Sequence, residues 1–464
     1  MSITLWLMLF GSCTAWCAPS PSPEAARSVP VYSLQDCLDL GLTRNPDIQR
    51  AEQDIERSKG LVITAKSLLY PRVGLSGRVE ERNDDLLSEG TDPRQQRFRE
   101  YWTVSISATQ SLYSGGANRQ QIAIAKLENE ASLGQLRTVT NRVLRDIHHA
   151  VFETVVSKAQ IEAQEKTVQL LTEELKRQKQ YFDAGKTTRF NVLRTQVSLS
   201  NQEVQLLQAR SQYVSSQIAL ARLLNIGWPP DGAKKPPFLV SAELTCPPVK
   251  ETAEELAAMA LSRRPELDVL QREIEISERK VKVEKASNIP RVDAFAGYEV
   301  RRDLEQSSFD DNVQAATVGI LGSWNIFDGF AGRGRKISAE AALQSRRISL
   351  DKTRLQVRSE VGDAFARLQT AGESVLVQGS NIQTAEESVK LSQNSLDAGY
   401  ATLLDVLQAT VDLTTARLEA IRAKQRYMKA LADLQFAVSL KFQDEPEAGA
   451  GAAPVVVPPA RLKP

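Results

Sequence analysis

Residues 100–113 read EYWTVSISATQSLY and residues 314–327 read QAATVGILGSWNIF. In the first stretch Trp102, Val104, Ile106, Ala108 and Leu112 share one parity, while Thr103, Ser105, Ser107, Thr109 and Ser111 share the other. In the second, Val318, Ile320, Gly322, Trp324 and Ile326 keep the apolar parity. A period of two is the signature of a β-strand with one apolar and one polar face. Upstream of each, Val73, Leu75, Gly77 and Val79, and Val292, Ala294, Ala296 and Tyr298, alternate in the same way. Two β-hairpins are therefore predicted, with charged, solvent-exposed loops at residues 82–99 and 302–312.

Outward from these hairpins the chain repeats itself. Arg44-Asn45-Pro46-Asp47-Ile48 returns as Arg263-Arg264-Pro265-Glu266-Leu267, and Pro71-Arg72-Val73 as Pro290-Arg291-Val292, both at an offset of 219. Beyond the hairpins the offset is 214. Leu112-Tyr113-Ser114-Gly115 matches Ile326-Phe327-Asp328-Gly329, and Asp183-Ala184-Gly185 matches Asp397-Ala398-Gly399. Two copies of one unit are expected, over residues 33–226 and 251–440, with a Pro/Gly-rich linker at 227–250.

Within each unit the period becomes helical on both sides of the hairpin. Residues 34–68 and 253–287 have helical composition, and Pro46 and Pro265 suit a first helical turn. Residues 117–182 and 331–396 contain no proline, which permits about 100 Å of continuous helix. Gly185 and Gly399 supply the stops, and Thr188–Asn191 and Thr402–Asp405 have the spacing of N-caps for a further helix. That helix carries a seven-residue pattern through Phe190, Leu193, Val197, Ser200, Val204, Leu207, Ser211, Val214, Ile218 and Ala221. A 3.5-residue period predicts left-handed coiled-coil packing. The fold class is thus mainly α with a small β part: long antiparallel coiled-coil helices and four strands in two tandem repeats.

Composition narrows the function. With 58 basic and 57 acidic residues the net charge is +1, so nothing draws the chain to nucleic acid. No apolar run reaches the 18 residues a membrane-spanning helix requires. Two histidines and four cysteines leave little material for a metal centre, and no Gly-rich loop followed by Lys-Ser or Lys-Thr occurs. No catalytic residue, metal or cofactor is expected. Residues 1–18 read as a secretory signal, Ile3 to Gly11 being almost wholly apolar. Gly11-Ser12-Cys13 also resembles the end of a lipoprotein signal, which would make Cys13 a lipidated N-terminus. After export Cys37 and Cys246 are either one disulfide or two buried thiols. The Pro/Ala/Gly-rich residues 445–464 read as a disordered tail.

Four strands cannot close a barrel, and an open hairpin with an apolar face is unstable alone. That face packs on a protein core or on lipid, and a Ser/Thr/Gly reverse face suits a water-lined barrel interior. Two chains would supply eight strands and a filled barrel, three would supply twelve. Tyr101, Trp102, Tyr298 and Trp324 are candidates for interfacial aromatic girdles.

The order of short helix, hairpin, long helix, Ala-Gly turn and helix, given twice over residues 33–440, resembles the TolC-like outer-membrane efflux proteins. Its marks are Asn45-Pro46 and Arg264-Pro265, the Leu-Tyr-Ser-Gly-Gly and Ile-Phe-Asp-Gly-Phe segments, and Ala398-Gly399 followed by Asp405-Val406-Leu407. The resemblance implies a homotrimer with a 12-stranded barrel in outer-membrane lipid and a helical tunnel through the periplasm. It also implies a periplasmic adaptor and an inner-membrane pump as partners. The conduit would be passive and gated at the periplasmic tip. Asp405 falls where the family places an aspartate in the constricted entrance, and Asn191 is its uncharged repeat mate. Asp183 and Asp397 join them as gate candidates, although acids near helix C-termini oppose the macrodipole. Gly185, Lys186, Arg189, Gly399 and Tyr400 are the expected adaptor-contacting residues. Capping alone would also explain Asp405. A periplasmic coiled-coil scaffold and an adaptor-like protein are the other readings these residues allow.

Overall fold

The computed structural model describes residues 29–81, 100–230, 236–302 and 312–439. The signal segment with Cys13, most of both hairpin loops and the tail at 445–464 lie outside the described residues. The first half runs β1 (Val31–Tyr32), α1 (Leu34–Arg44), α2 (Pro46–Lys66), β2 (Arg72–Glu81), β3 (Glu100–Tyr113), α3 (Ala117–Asp183) and α4 (Arg189–Leu223). The second runs β4 (Leu239–Val240), α5 (Ala253–Arg263), α6 (Pro265–Ala286), β5 (Arg291–Arg302), β6 (Asn312–Ser323), α7 (Ala331–Asp397) and α8 (Leu403–Val438).

Local chemistry starts these helices in the same way twice. Ser33 and Asp36 form a reciprocal capping box on α1, and their repeat mates Thr252 and Glu255 form one on α5. The Asn-Pro and Arg-Pro marks explain themselves in three dimensions. Asn45 caps α2 through Oδ1, which accepts from the Asp47 amide at 2.9 Å, while its Nδ2 donates to the Leu223 carbonyl at 2.8 Å. Arg264 cannot cap, but its Nε donates to the Ala437 carbonyl at 2.7 Å and its Nη1 to Glu360 at 2.6 Å. Leu223 and Ala437 are themselves repeat mates. Different side chains therefore tie the start of the short helix to the end of the returning one, satisfying a carbonyl that the helix end leaves open.

Packing orders the long helices as α4–α3–α8–α7 towards the tip, and as α2–α3–α6–α7 towards the sheet. Two apolar cores sit between these regions. One gathers Cys37, Ile147, Val151, Leu220, Leu224 and Phe238, and the other Phe152, Leu256, Val357, Val361, Tyr427 and Leu434. Each fully buried Leu or Phe stabilises by about 1.5–3 kcal/mol; the first cluster locks the first half, and Phe152 carries the second half's cluster across to α3. Glycine permits the closest approaches: a Cβ on Gly41 would stand 2.1 Å from Ile147 Cδ1, and one on Gly134 2.6 Å from Val269 Cγ2.

Several expectations need correction. The stretch read as a linker is partly core: β4 pairs in parallel with β1, and Phe238 beside it is buried. Two-residue strands carry no period for a sequence to display. Of the two readings left open for the cysteines, free thiols hold: Cys37 and Cys246 are lodged at different cores. Burial pushes the Cys37 thiol up to about 12, so it stays protonated and unreactive. Strand β6 ends at Ser323, so Trp324 and Ile326 lie beyond it. The Trp324 indole N–H donates to the Asn288 carbonyl at 3.1 Å, which ties the departing chain to the turn before β5.

Candidate functional site

The four long strands form one antiparallel sheet in the order β2-β3-β5-β6. Its register aligns Leu75 with Ile106, Ile106 with Tyr298, and Ala296 with Val318, so the apolar parity is continuous across all four strands. That face is bare: Val79 and Val318 are each 86% exposed. The reverse face carries Arg72, Ser76, Ser105, Thr109 and Thr317, with the Ser76 and Ser105 hydroxyls 2.8 Å apart. Phe295 is its aromatic exception, lying across Gly319 where a Cβ would come within 2.7 Å of the ring. An exposed apolar sheet of this size has no place in water and suits lipid. None of the described helices is long and apolar enough to cross a membrane.

The other candidate region is the tip. Gly185 and Gly399 end α3 and α7 in left-handed conformation, with φ of 70° and 80°. Leu171, Leu403 and Leu407 then pack with Leu199 and Leu396, drawing both hairpin ends into one cluster. Asp405 caps α8: its Oδ2 accepts from the Thr402 amide at 2.8 Å and the Thr402 hydroxyl at 2.7 Å. These hydrogen bonds hold its carboxyl below the usual carboxylate range, so it is charged at neutral pH. The first half does not reproduce this box. Thr188 makes no side-chain cap, and Asn191 instead turns its amide to Thr187 Oγ1 at 2.9 Å. With its side chain committed to Thr187, Asn191 does not accept from the Thr188 amide, so the expected symmetry of the caps fails.

Asp397 stands 3.9 Å from Arg177, which also pairs with the buried Glu174. Glu174 further accepts from Gln178 at 2.8 Å. Asp183, Lys186 and Arg189 are exposed, and Tyr400 is 92% exposed. The structure thus collects every predicted tip residue at one end, where Glu174 and Arg177 add a charged node. Sequence inspection passed over them because nothing marks a glutamate in a charge-rich helix as buried.

The Asp405 box makes a pH prediction. Its native pKa lies below the unfolded value, so its stabilisation is complete above about 4 and is lost as pH falls through the native value. Thr402→Val should raise the Asp405 pKa towards the ordinary range and move tip opening, read by hydrogen exchange at Leu403–Leu407, to higher pH. The Thr402 backbone amide bond, the larger cause, survives in that variant, so an unmoved carboxyl titration would show that the hydroxyl adds nothing to it.

Comparison with known proteins agrees with this arrangement. Residues 37–226 and 256–439 match the family model described as outer membrane efflux protein, one match for each half. The alkaline protease secretion protein AprF of Pseudomonas aeruginosa is 23% identical over 409 residues, which is 87% of this chain and 83% of AprF. Protein CyaE of Bordetella pertussis is 23% identical over 425 residues, 90% of this chain and 87% of CyaE. Among solved structures, the outer membrane protein VceC of Vibrio cholerae superposes with a TM-score of 0.72 at 20% identity, covering 88% of this chain and 97% of VceC. A doubled family match, full-length relatives and a shared fold converge with the bare apolar sheet and the paired hairpin tips: the chain belongs to the outer membrane efflux protein family.

Proposed function

We propose that three copies of this chain close head to tail into a passive conduit, with a 12-stranded barrel in the outer membrane and a helical tunnel in the periplasm. One observation carries the reading: every free edge of the single chain pairs a first-half element with a second-half one. The sheet ends in β2 on one side and β6 on the other. The helical layer ends in α4 or α2 on one side and α7 on the other. Such edges join heterologously, β6 to the next β2 and α7 to the next α4, and a rotation that closes gives a ring. Open strand edges in lipid would leave backbone groups unsatisfied, so closure is required.

The helical edges complement each other. The seven-residue stripe of α4 is uncovered in the single chain, with Phe190 at 66% and Leu207 at 63% exposure. Helix α4 packs on α3 through Thr195, Leu206 and Leu220, and the last residue of the stripe, Ala221, is buried with them. On α7, Ile348, Leu355 and Leu376 are exposed at multiples of seven residues. Helix α4 carries four arginines and one glutamate, whereas Glu360 to Asp397 of α7 carries six acids against two bases. Three copies are favoured over two because an eight-stranded barrel would fill with the side chains of its reverse face.

At the tip, Asp405 would be presented three times around the axis as a cation-favouring ring. Asp183, Asn191 and Asp397 would line the same constriction, with the Arg177–Asp397 contact joining the two hairpins. Gly185, Lys186, Arg189, Gly399 and Tyr400 form the surface offered to a periplasmic adaptor, which links the conduit to an energised inner-membrane pump. The test is the protein mass of the detergent-extracted particle, followed by bilayer recording. Three chain masses and a conductance whose cation preference falls towards unity in Asp405→Asn are expected. A monomer removes the conduit, and unchanged selectivity in an open mutant leaves Asp405 as a cap only.

A further inference from the structure

Where the helices meet the sheet, α2, α3, α6 and α7 surround a cleft of about 890 Å³. Repeat mates from both halves line it: Leu61 and Lys280, Ala65 and Glu284, Gln121 and Arg335, Ile124 and Ser338. The same face of each helix type therefore points into one space. Arg72 borders that space as well, and Arg72 belongs to the polar side of the sheet. The cleft thus opens on the side that the proposed barrel turns to water. Neighbouring copies, which join at the α2 and α7 edges, leave it uncovered. Its size is that of a site for a small organic molecule, roughly 300–1,000 Å³.

The two halves furnish this space with different chemistry. From the first come Leu61, Ala65, Leu68 and Ile124, an apolar wall in which Leu61 is 46% exposed. From the second come Lys280, Glu284 and Arg335. Arg335 is already committed, to Glu284 at 3.2 Å and to Asp328 at 3.4 Å. Lys280 is exposed and makes no ion pair among the described residues. Arg72 is exposed and equally free, because it lacks a partner that its mate keeps. Arg291 binds Asp293 at 2.9 Å, whereas the first-half residue matching Asp293 is Gly74. The other free charge is Glu128 on α3, at the end that continues into a groove bordered by Glu273 and Arg346. Two free cations against one free acid leave the cleft attractive to an anion.

We infer that this cleft binds small organic anions with an apolar body. The body lies on Leu61, Leu68 and Ile124, and the acid group meets Lys280 and Arg72. Burial of the body supplies most of the affinity, while charge-assisted hydrogen bonds fix the head and select its sign. A cation of the same shape keeps the first contribution and loses the second. Three clefts around a ring would hold such molecules between the tip and the barrel. The site itself is complete in one chain, and its place along a path of transport rests on the proposed conduit.

The test is equilibrium dialysis of 2-naphthoate against the full-length protein in phosphatidylcholine nanodiscs, with empty nanodiscs as the blank, beside bilayer recording of the same protein. Saturable binding of naphthoate is expected, with 2-naphthylmethylammonium bound about tenfold more weakly. Arg72→Gln combined with Lys280→Gln should weaken naphthoate about tenfold. Glu128→Gln should tighten it about threefold. Lys282→Gln, on the same helix but outside the cleft, should leave binding unchanged. In bilayers naphthoate should reduce the current, and the double variant should relieve that block. A conducting protein without saturable binding overturns the cleft as a site and leaves the conduit standing. So does one that binds both naphthyl ions alike, or that weakens equally in Lys282→Gln. Naphthoate binding with the expected variant pattern in a protein that never conducts supports the site and removes the conduit.

Discussion

Val318→Arg should abolish stable insertion into the outer membrane, and Thr317→Arg, one residue away, should not. Val318 sits in the middle of β6 opposite Ala296, on the apolar face, and is 86% exposed. An arginine on the lipid face near the bilayer midplane costs about 2–4 kcal/mol. A closed ring carries the substitution three times, so the total approaches or exceeds the whole stability of an ordinary domain, about 5–15 kcal/mol. Thr317 lies on the reverse face opposite Gly297, where a guanidinium would meet water and other polar side chains. The measurement is the fraction of each variant that resists urea extraction from the outer-membrane fraction. Equal loss in both variants would mean that the two faces are not lipid and water, and equal retention would mean that the apolar face packs on protein.

The contrast between those neighbours is also the part of the fold that was most legible. A period of two fixes the parity of a strand, and a one-residue slip would move every side chain to the other face. Four strands whose parities agree across two repeats therefore declared their face before any coordinates. The repeat declared the doubled hairpins, and proline-free runs declared α3 and α7. What could not be read depends on long-range choice. Val31–Tyr32 and Leu239–Val240 are too short for a period, so their pairing was hidden. Asn45 and Arg264 are chemically unlike, and nothing in sequence says that both reach back to the end of a helix far along the chain. The seven-residue pattern of α4 declared an apolar seam without naming its partner. Within one chain the partner is absent, because α3 takes a different face of that helix. At the tip, Thr402–Asp405 and Thr188–Asn191 share a spacing, yet only the carboxylate makes a reciprocal box. Phe330 precedes the second proline-free run, and its left-handed backbone was hidden because that conformation has no sequence mark other than glycine.

The same seam carries the second large effect. Val204→Asp combined with Leu207→Asp should eliminate the trimer while leaving the isolated chain folded. Both residues are more than half exposed in the single chain, at 51% and 63%. Surface substitutions of that kind usually change monomer stability by no more than about 0.5 kcal/mol. In the ring they would be buried against α7 of the next copy, where an unpaired buried charge costs about 3–5 kcal/mol. Heterologous closure repeats that cost at every interface. The sign of the charge provides the sharper check. The facing half of α7 holds six acids and two bases, so aspartate adds repulsion where lysine would gain attraction. Val204→Lys with Leu207→Lys should therefore weaken the trimer less than the aspartate pair, with the difference shrinking as salt is raised. Leu206→Asp is the control, since Leu206 is only 9% exposed against α3 and its loss should unfold the hairpin itself. Particle mass in detergent and far-ultraviolet circular dichroism separate the outcomes. A trimer that survives the aspartate pair places the α4 stripe outside the ring contacts, and equal loss with aspartate and lysine removes α7 as its partner.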